Sequence, residues 1–217
     1  MKRIFTMLVG MTIALTPVFA ANWYVSPSGN DANSGTSWDT AKKTIQAGIN
    51  AASTNDTVLV ANGTYVVTQQ IEIKKSITVK SVYGASSTII DGNYPNTTNR
   101  VLYVFSGDPV AVVDGFTIQN GHQKDPSPSG DPKYLEDAWG GRANGGGVRI
   151  DYGGLIRNCI IKDNYATYSG GGVYYYHMPG YFDAGGIWNC TIVNNTAGKQ
   201  GGGVHAYDIP GGTIRNL

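Results

Sequence analysis

Apolar and polar positions alternate in short bursts along most of this chain. Thr57-Val58-Leu59-Val60, Ile71-Glu72-Ile73, Ile77-Thr78-Val79, Thr88-Ile89-Ile90, Val101 to Phe105 and Val112 to Ile118 are rich in β-branched residues. Most of them stop at Gly, Asn or Asp. Period-two runs bounded by turn residues read as short strands. No helical period separates them, which argues against strand–helix–strand units. Only Thr40 to Ala52 carries a helical pattern: Ala41, Ile45, Gly48, Ile49 and Ala52 share a face, and Asp39 or Thr40 can cap it. One amphipathic helix ahead of many strands suits a lid over the open end of a solenoid, where it hides apolar side chains and strand edges.

The second half repeats itself. Gly145-Gly146-Gly147-Val148 returns as Gly170-Gly171-Gly172-Val173 and as Gly201-Gly202-Gly203-Val204. Leu155-Ile156-Arg157-Asn158-Cys159-Ile160-Ile161 returns as Gly186-Ile187-Trp188-Asn189-Cys190-Thr191-Ile192 and begins again at Thr213-Ile214-Arg215-Asn216. A unit this short cannot bury a face alone, but stacked copies cover one another. The expected architecture is all-β, a right-handed parallel β-helix with an N-terminal capping helix. A sandwich of strands, the competing arrangement, does not require one motif to recur at one coil's spacing. Aligned positions predict aliphatic columns inside the coil, Ile156 with Ile187 and Ile214, and Ile161 with Ile192. They also predict Asn ladders, Asn158 with Asn189 and Asn216, and Asn164 with Asn195, satisfying amides at the bends. Cys159 and Cys190 occupy equivalent sites on neighbouring coils, as a small apolar stack or as a disulfide.

The first residues follow another pattern. Lys2 and Arg3 precede an apolar run from Ile4 to Leu15, Pro17 breaks it, and Val18-Phe19-Ala20 supplies small residues for cleavage. This is the form of an export signal, and the run is too short to span a bilayer. Residues 1–20 are therefore expected to be a signal peptide, 21–55 a cap and 56–217 the coils, in a protein secreted or held at the cell surface. Only 14% of residues are charged and 30 are Gly. With Lys2 and Arg3 removed the chain is close to neutral, which argues against nucleic acid or anionic lipid as partner. No other stretch is long enough to cross a membrane.

The segment with Tyr24-Val25-Ser26-Pro27-Ser28-Gly29-Asn30-Asp31, Lys43-Thr44-Ile45-Gln46 and Asn62-Gly63-Thr64-Tyr65 resembles the N-terminal region of secreted parallel β-helix proteins, family 9 pectate lyases among them. The Gly-Gly-Gly-Val and Asn-Cys repeats resemble those of bacterial surface β-helix proteins, including polymorphic outer-membrane proteins. The resemblance implies the fold for most of the chain. For the lyases it implies a Lys base and Asp-bound calcium, and no position here matches those motifs, so no catalytic residue is carried over.

A packed coil leaves no room inside for substrate, so chemistry must sit on outward strand faces or on loops. With Val148, Val173 and Val204 inward, alternation sends Ile150, Tyr175 and Ala206 inward as well. Arg149, Tyr174 and His205 then form one outward column, and Asp151, Tyr176 and Tyr207 the next. Aromatic plates with polar neighbours suit a glycan, although Tyr also favours an ordinary solvated strand face. The insertion from Gly121 to Asn144 carries His122, Lys124, Asp131, Glu136 and Asp137. Asp131, Glu136 and Asp137 could bind calcium, or the loop is simply solvated. Asp91-Gly92 and Asp114-Gly115 offer carboxylates, but Asp before Gly also favours a turn.

Two functions fit. One is a surface or secreted module that binds polysaccharide or cell-surface glycan through its outward face. The other is a calcium-dependent lyase on acidic polysaccharide, with Lys162, Lys199 and Arg149 as its cations. The repeat is cut at Leu217, so a further domain or self-association is expected at that end.

Overall fold

The structure, a computed structural model, describes residues 20–107, 109–124, 143–176, 185–207 and 213–215. Every pairing between the described strands is parallel, and in each sheet the strands lie in chain order. Each coil therefore rests on the one before it, as a parallel β-helix requires, and no hairpin of a sandwich occurs among the described residues.

Four sheets run along the coil. The longest has seven strands: Asn22–Val25, Thr57–Val60, Thr78–Ser81, Val112–Asp114, Gly154–Arg157, Gly185–Trp188 and Thr213–Arg215. A five-stranded sheet holds Gly63–Val66, Thr88–Asp91, Thr117–Gln119, Ile160–Lys162 and Thr191–Val193. A second, called the aromatic sheet below, holds Ile71–Ile73, Leu102–Phe105, Val148–Asp151, Val173–Tyr176 and Val204–Tyr207. A three-stranded sheet joins His122–Gln123, Tyr165–Ala166 and Thr196–Ala197.

The repeats fall in register as their spacing predicts. Ile156 lies beside Ile187 and Ile187 beside Ile214, while Ile161 sits between Ile118 and Ile192. Ile118, Ile156, Ile161 and Ile187 are fully buried, each contributing roughly 2 kcal/mol of transfer free energy. Gly145, Gly170 and Gly201 hold φ of +70°, +66° and +60°, the left-handed turn that opens each aromatic-sheet strand. The next glycine faces a different constraint. A Cβ on Gly146 would lie 2.2 Å from the Tyr165 carbonyl oxygen, and one on Gly171 2.3 Å from that of Thr196.

The Asn ladders exist, with different surroundings. The Asn164 side chain is buried, takes the Gly121 N–H at 2.8 Å and donates to Asn195 Oδ1 at 3.0 Å. Asn195 passes the chain on to the Ile161 carbonyl at 2.8 Å. The Asn158–Asn189 ladder lies on the exposed outer side of its bend, so it satisfies no buried amide. Both residues take a left-handed φ, +54° and +50°, which Asn tolerates better than most. Asn216 lies outside the described residues. Cys159 and Cys190 are free and buried, and burial pushes the Cys159 thiol up. The cysteines thus form the small stack.

The helix is shorter than its pattern predicts, Ile45–Ala51. Lys42 pairs instead with the first strand: its N–H donates to the Tyr24 carbonyl at 2.9 Å and its own carbonyl accepts from Ser26, while the Ala41 carbonyl accepts from Asn30. Thr44 is the cap, its hydroxyl accepting from Ala47 N–H. Asp31 fixes this start by accepting from the Lys43 and Thr44 amides, both at 2.8 Å, and from the Thr44 hydroxyl. The buried face of Ile45, Gly48 and Ile49 is the expected one.

Asp56 ties the first coil together. Its carboxylate is buried and accepts from Ala21 N–H at 2.7 Å, Ser53 N–H at 2.8 Å and Trp23 Nε1–H at 2.9 Å. Burial opposes its ionisation, but these donors and Lys75 outweigh that and hold the carboxyl below its ordinary value. A carboxyl with a depressed folded-state pKa adds stability above its unfolded value, and that stability is lost as pH falls through the folded one. The urea midpoint should therefore drop as the pH is taken below about 4. Asp56→Asn should show a shallower drop across the same range. Urea melts of both proteins at stepped pH check this, and parallel curves would exclude Asp56 as a contributor.

Candidate functional site

The outer side of the aromatic sheet gathers the ring systems predicted for it. Register pairs Arg149 with Tyr174 and Tyr174 with His205, and pairs Asp151 with Tyr176 and Tyr176 with Tyr207. Tyr174 and His205 stack with centroids 5.4 Å apart and planes 4° from parallel. Tyr176 and Tyr207 stack at 5.7 Å and 19°. Parallel strands produce this directly, because identical backbone positions lie one ladder spacing apart.

The columns extend one coil further back than the repeats reveal. Tyr103 lies beside Arg149 and Phe105 beside Asp151. Tyr152, just past the strand, meets Phe105 edge-on at 5.0 Å. Tyr103 and Phe105 escape the repeat because the insertion nearly doubles the step from Leu102 to Val148. The alternation of Leu102-Tyr103-Val104-Phe105 against Val148-Arg149-Ile150-Asp151 was the available signal.

The expectation that all six outward residues would be open is corrected. Arg149 is only 7% exposed and Asp151 5%, and Tyr174 is also buried. The two charges are buried because they are paired. Arg149 Nε lies 2.9 and 3.1 Å from the Asp151 carboxylate oxygens, and the Tyr103 hydroxyl donates to Asp151 at 2.9 Å. The guanidinium also lies over two rings, 6.0 Å from the Tyr103 centroid and 5.6 Å from that of Tyr174. Asp151 counters the effect of burial and leaves the Arg149 pKa raised. Burial raises the Tyr103 hydroxyl well above the ordinary phenol range and raises that of Tyr174 as well. What the face offers outward is Tyr207, 56% exposed, with Phe105 also exposed and Tyr176, Tyr152 and His205 half-buried. Partial burial lowers the His205 pKa.

His122 belongs to a regular strand rather than to the insertion. Its ring stacks on Tyr94 at 4.0 Å and on Tyr165 at 4.6 Å. Burial lowers its pKa, and Lys124 adds to the effect. Asp131, Glu136 and Asp137, the calcium candidates, lie outside the described residues. Among the described residues no three His, Cys, Asp or Glu side chains gather in a way that could hold a metal ion.

Other candidates separate. Asp91 lies in the Gly63-to-Val193 sheet, where it accepts from Asn93 N–H, Gln119 and Asn120. Asp114 lies in the seven-stranded sheet and pairs with Arg157 at 2.9 Å. The two carboxylates thus stabilise separate bends. Lys162 leaves its strand beside Asp163, at 3.5 Å, and Lys199 lies over the Tyr168 ring. With Arg149 on the aromatic sheet, these cations stand on three different parts of the coil.

No family model matches the chain. It is 40% identical over 85 residues to Pectate lyase PEL9 of Emericella nidulans, across 36% of this chain and 20% of that protein. The solved pectate lyase Pel9A superposes with a TM-score of 0.50 at 16% identity, covering 82% of this chain and 49% of that one. A rhamnogalacturonan lyase gives 0.48 at 17%, covering 91% and 45%. The chain thus spans a fifth of the curated relative and about half of these structures. The likeness to family 9 pectate lyases and to parallel β-helix proteins seen in the sequence is borne out, and the structural likeness supports the fold alone.

Proposed function

We propose that this chain binds polysaccharide, through the outer side of the aromatic sheet. One observation carries the reading: four coils present Phe105, Tyr152, Tyr176, Tyr207 and His205 as an accessible row of rings, backed by buried Tyr103, Arg149, Tyr174 and Asp151. Rings held on adjacent strands lose little conformational freedom on binding, and they match the flat C–H faces of pyranose rings. Export to the cell exterior, where such polymers occur, is part of the proposal. Residues 1–19, the expected leader, lie outside the described residues. Among the described residues no helix is long and apolar enough to cross a membrane.

Because Tyr207 is the most open ring of this face, Tyr207→Ala should weaken polysaccharide binding about tenfold, the loss of one well-placed stacking contact. Tyr176→Ala should do the same, and both variants should melt near the parent temperature. Affinity electrophoresis against a polysaccharide panel reads the effect. Binding that both variants keep unchanged would remove this face from the function.

A second reading, calcium-dependent elimination on acidic polysaccharide, is favoured by the 40% identity to Pectate lyase PEL9. Elimination requires a base positioned at the carbon beside the uronate carboxyl and cations on the developing charge. Arg149 is already paired, and Lys162 and Lys199 stand apart from it. Incubation with polygalacturonate and calcium separates the readings: unsaturated products would support the lyase, and binding without them supports the module.

A further inference from the structure

Resting on the binding role proposed for the aromatic sheet, we infer that its face selects sugars without free carboxylates, neutral or ester-capped, over uronates. The observation is where the charges of this sheet are directed. Arg149 gives its Nε to both oxygens of Asp151 and lies between two rings. Arg100 is buried and gives Nε to the Asn144 and Gly145 carbonyls at 3.1 and 2.9 Å, Nη2 to Asn144 at 2.6 Å and Nη1 to Gln70 at 3.1 Å. Lys74, just past the strand at the far edge from Tyr207, is half-exposed; it pairs with Glu72 at 2.6 Å and holds its ammonium 5.8 Å from the Tyr103 centroid. The Asp151 carboxylate is likewise occupied, by Arg149 and the Tyr103 hydroxyl.

The open end of the sheet is uncharged among the described residues. Phe105, Tyr152, Tyr176 and Tyr207 are apolar rings or phenols, and the lowered pKa of His205 favours its neutral form at pH 7. A free carboxylate laid here would lose water and meet no counter-charge among the described residues. It would also meet ring faces whose quadrupole presents negative charge, which repels anions and attracts C–H groups. An esterified carboxyl or a plain hydroxymethyl group avoids both penalties. The buried charges of Arg100, Arg149 and Asp151 therefore stiffen the platform and are withheld from the ligand.

Polygalacturonate and its fully methyl-esterified form share one backbone and differ in charge, so they isolate the effect. Linear galactan extends the set to a neutral polymer. Titration calorimetry with the full chain, at low and high salt, should show the esterified polymer or galactan binding at least about tenfold more tightly than the free acid. That binding should barely change with salt and should weaken in Tyr207→Ala. Tightest binding to the free acid, weakened by salt, would overturn this inference and leave the polysaccharide role standing. Binding of none of the three would overturn both.

Discussion

Gly146→Ala is expected to destabilise the fold more than any other single-methyl addition considered above, by about 3 kcal/mol or more. The added Cβ would sit 2.2 Å from the Tyr165 carbonyl oxygen, 2.5 Å from its carbon and 2.7 Å from the Gly171 oxygen. All three are backbone atoms of neighbouring coil segments, so no side chain can swing aside. Relief requires that the coils separate, which stretches the ladder bonds from Gly146 and Gly147 to Gly170 and Gly171, both now 3.1 Å. For a domain of this size each kcal/mol lowers the melting temperature by about 2–4 °C, so a drop of roughly 6–12 °C is expected. Gly84→Ala is the control. Gly84 has φ of +81° and nothing within 4 Å of the added methyl, so it reports only the left-handed backbone cost of about 1 kcal/mol. Equal drops in the two melts would show that close approach of the coils is not what Gly146 provides.

The second large effect is expected at the charged pair. Asp151→Ala leaves the Arg149 guanidinium buried without its carboxylate and removes the acceptor of the Tyr103 hydroxyl. Loss of one partner from a buried pair costs about 3–5 kcal/mol, chiefly because the remaining charge is stranded. Replacing both residues together, Arg149→Met with Asp151→Leu, should recover most of that loss, since apolar groups need no partner. The pair would then be a source of order on this face rather than of net stability. Thermal melts of the two variants decide it. A double variant as unstable as the single would mean that the pair itself holds the sheet.

The coil was legible because its repeats carry the register on their surface. Val148, Val173 and Val204, or Ile156 and Ile187, could be superposed by eye, and the ladders follow that superposition. The helix start was less legible. Its true boundary depends on Asp31, a residue distant in sequence that accepts from the Lys43 and Thr44 amides. Periodicity cannot register such a contact. The same holds for the site. Alternation showed which side of the strand Arg149 and Asp151 leave from, but not that their pairing and the Tyr103 hydroxyl would let both be buried. Tyr103 and Phe105 were hidden by the unequal step across the insertion.

In every sheet the order of strands in space is their order in the chain. Among the described residues, ladder pairing therefore joins each coil to its immediate neighbours in the stack. Length becomes a free variable in such a molecule. A coil copied between Asn158 and Asn189 would meet above and below the same Ile, Asn and Cys positions that those coils already offer each other. The aromatic row would lengthen by the same insertion, adding a step to the platform for each added coil. The reach of the proposed binding face could then be tuned by duplicating chain, without a change to any existing interface.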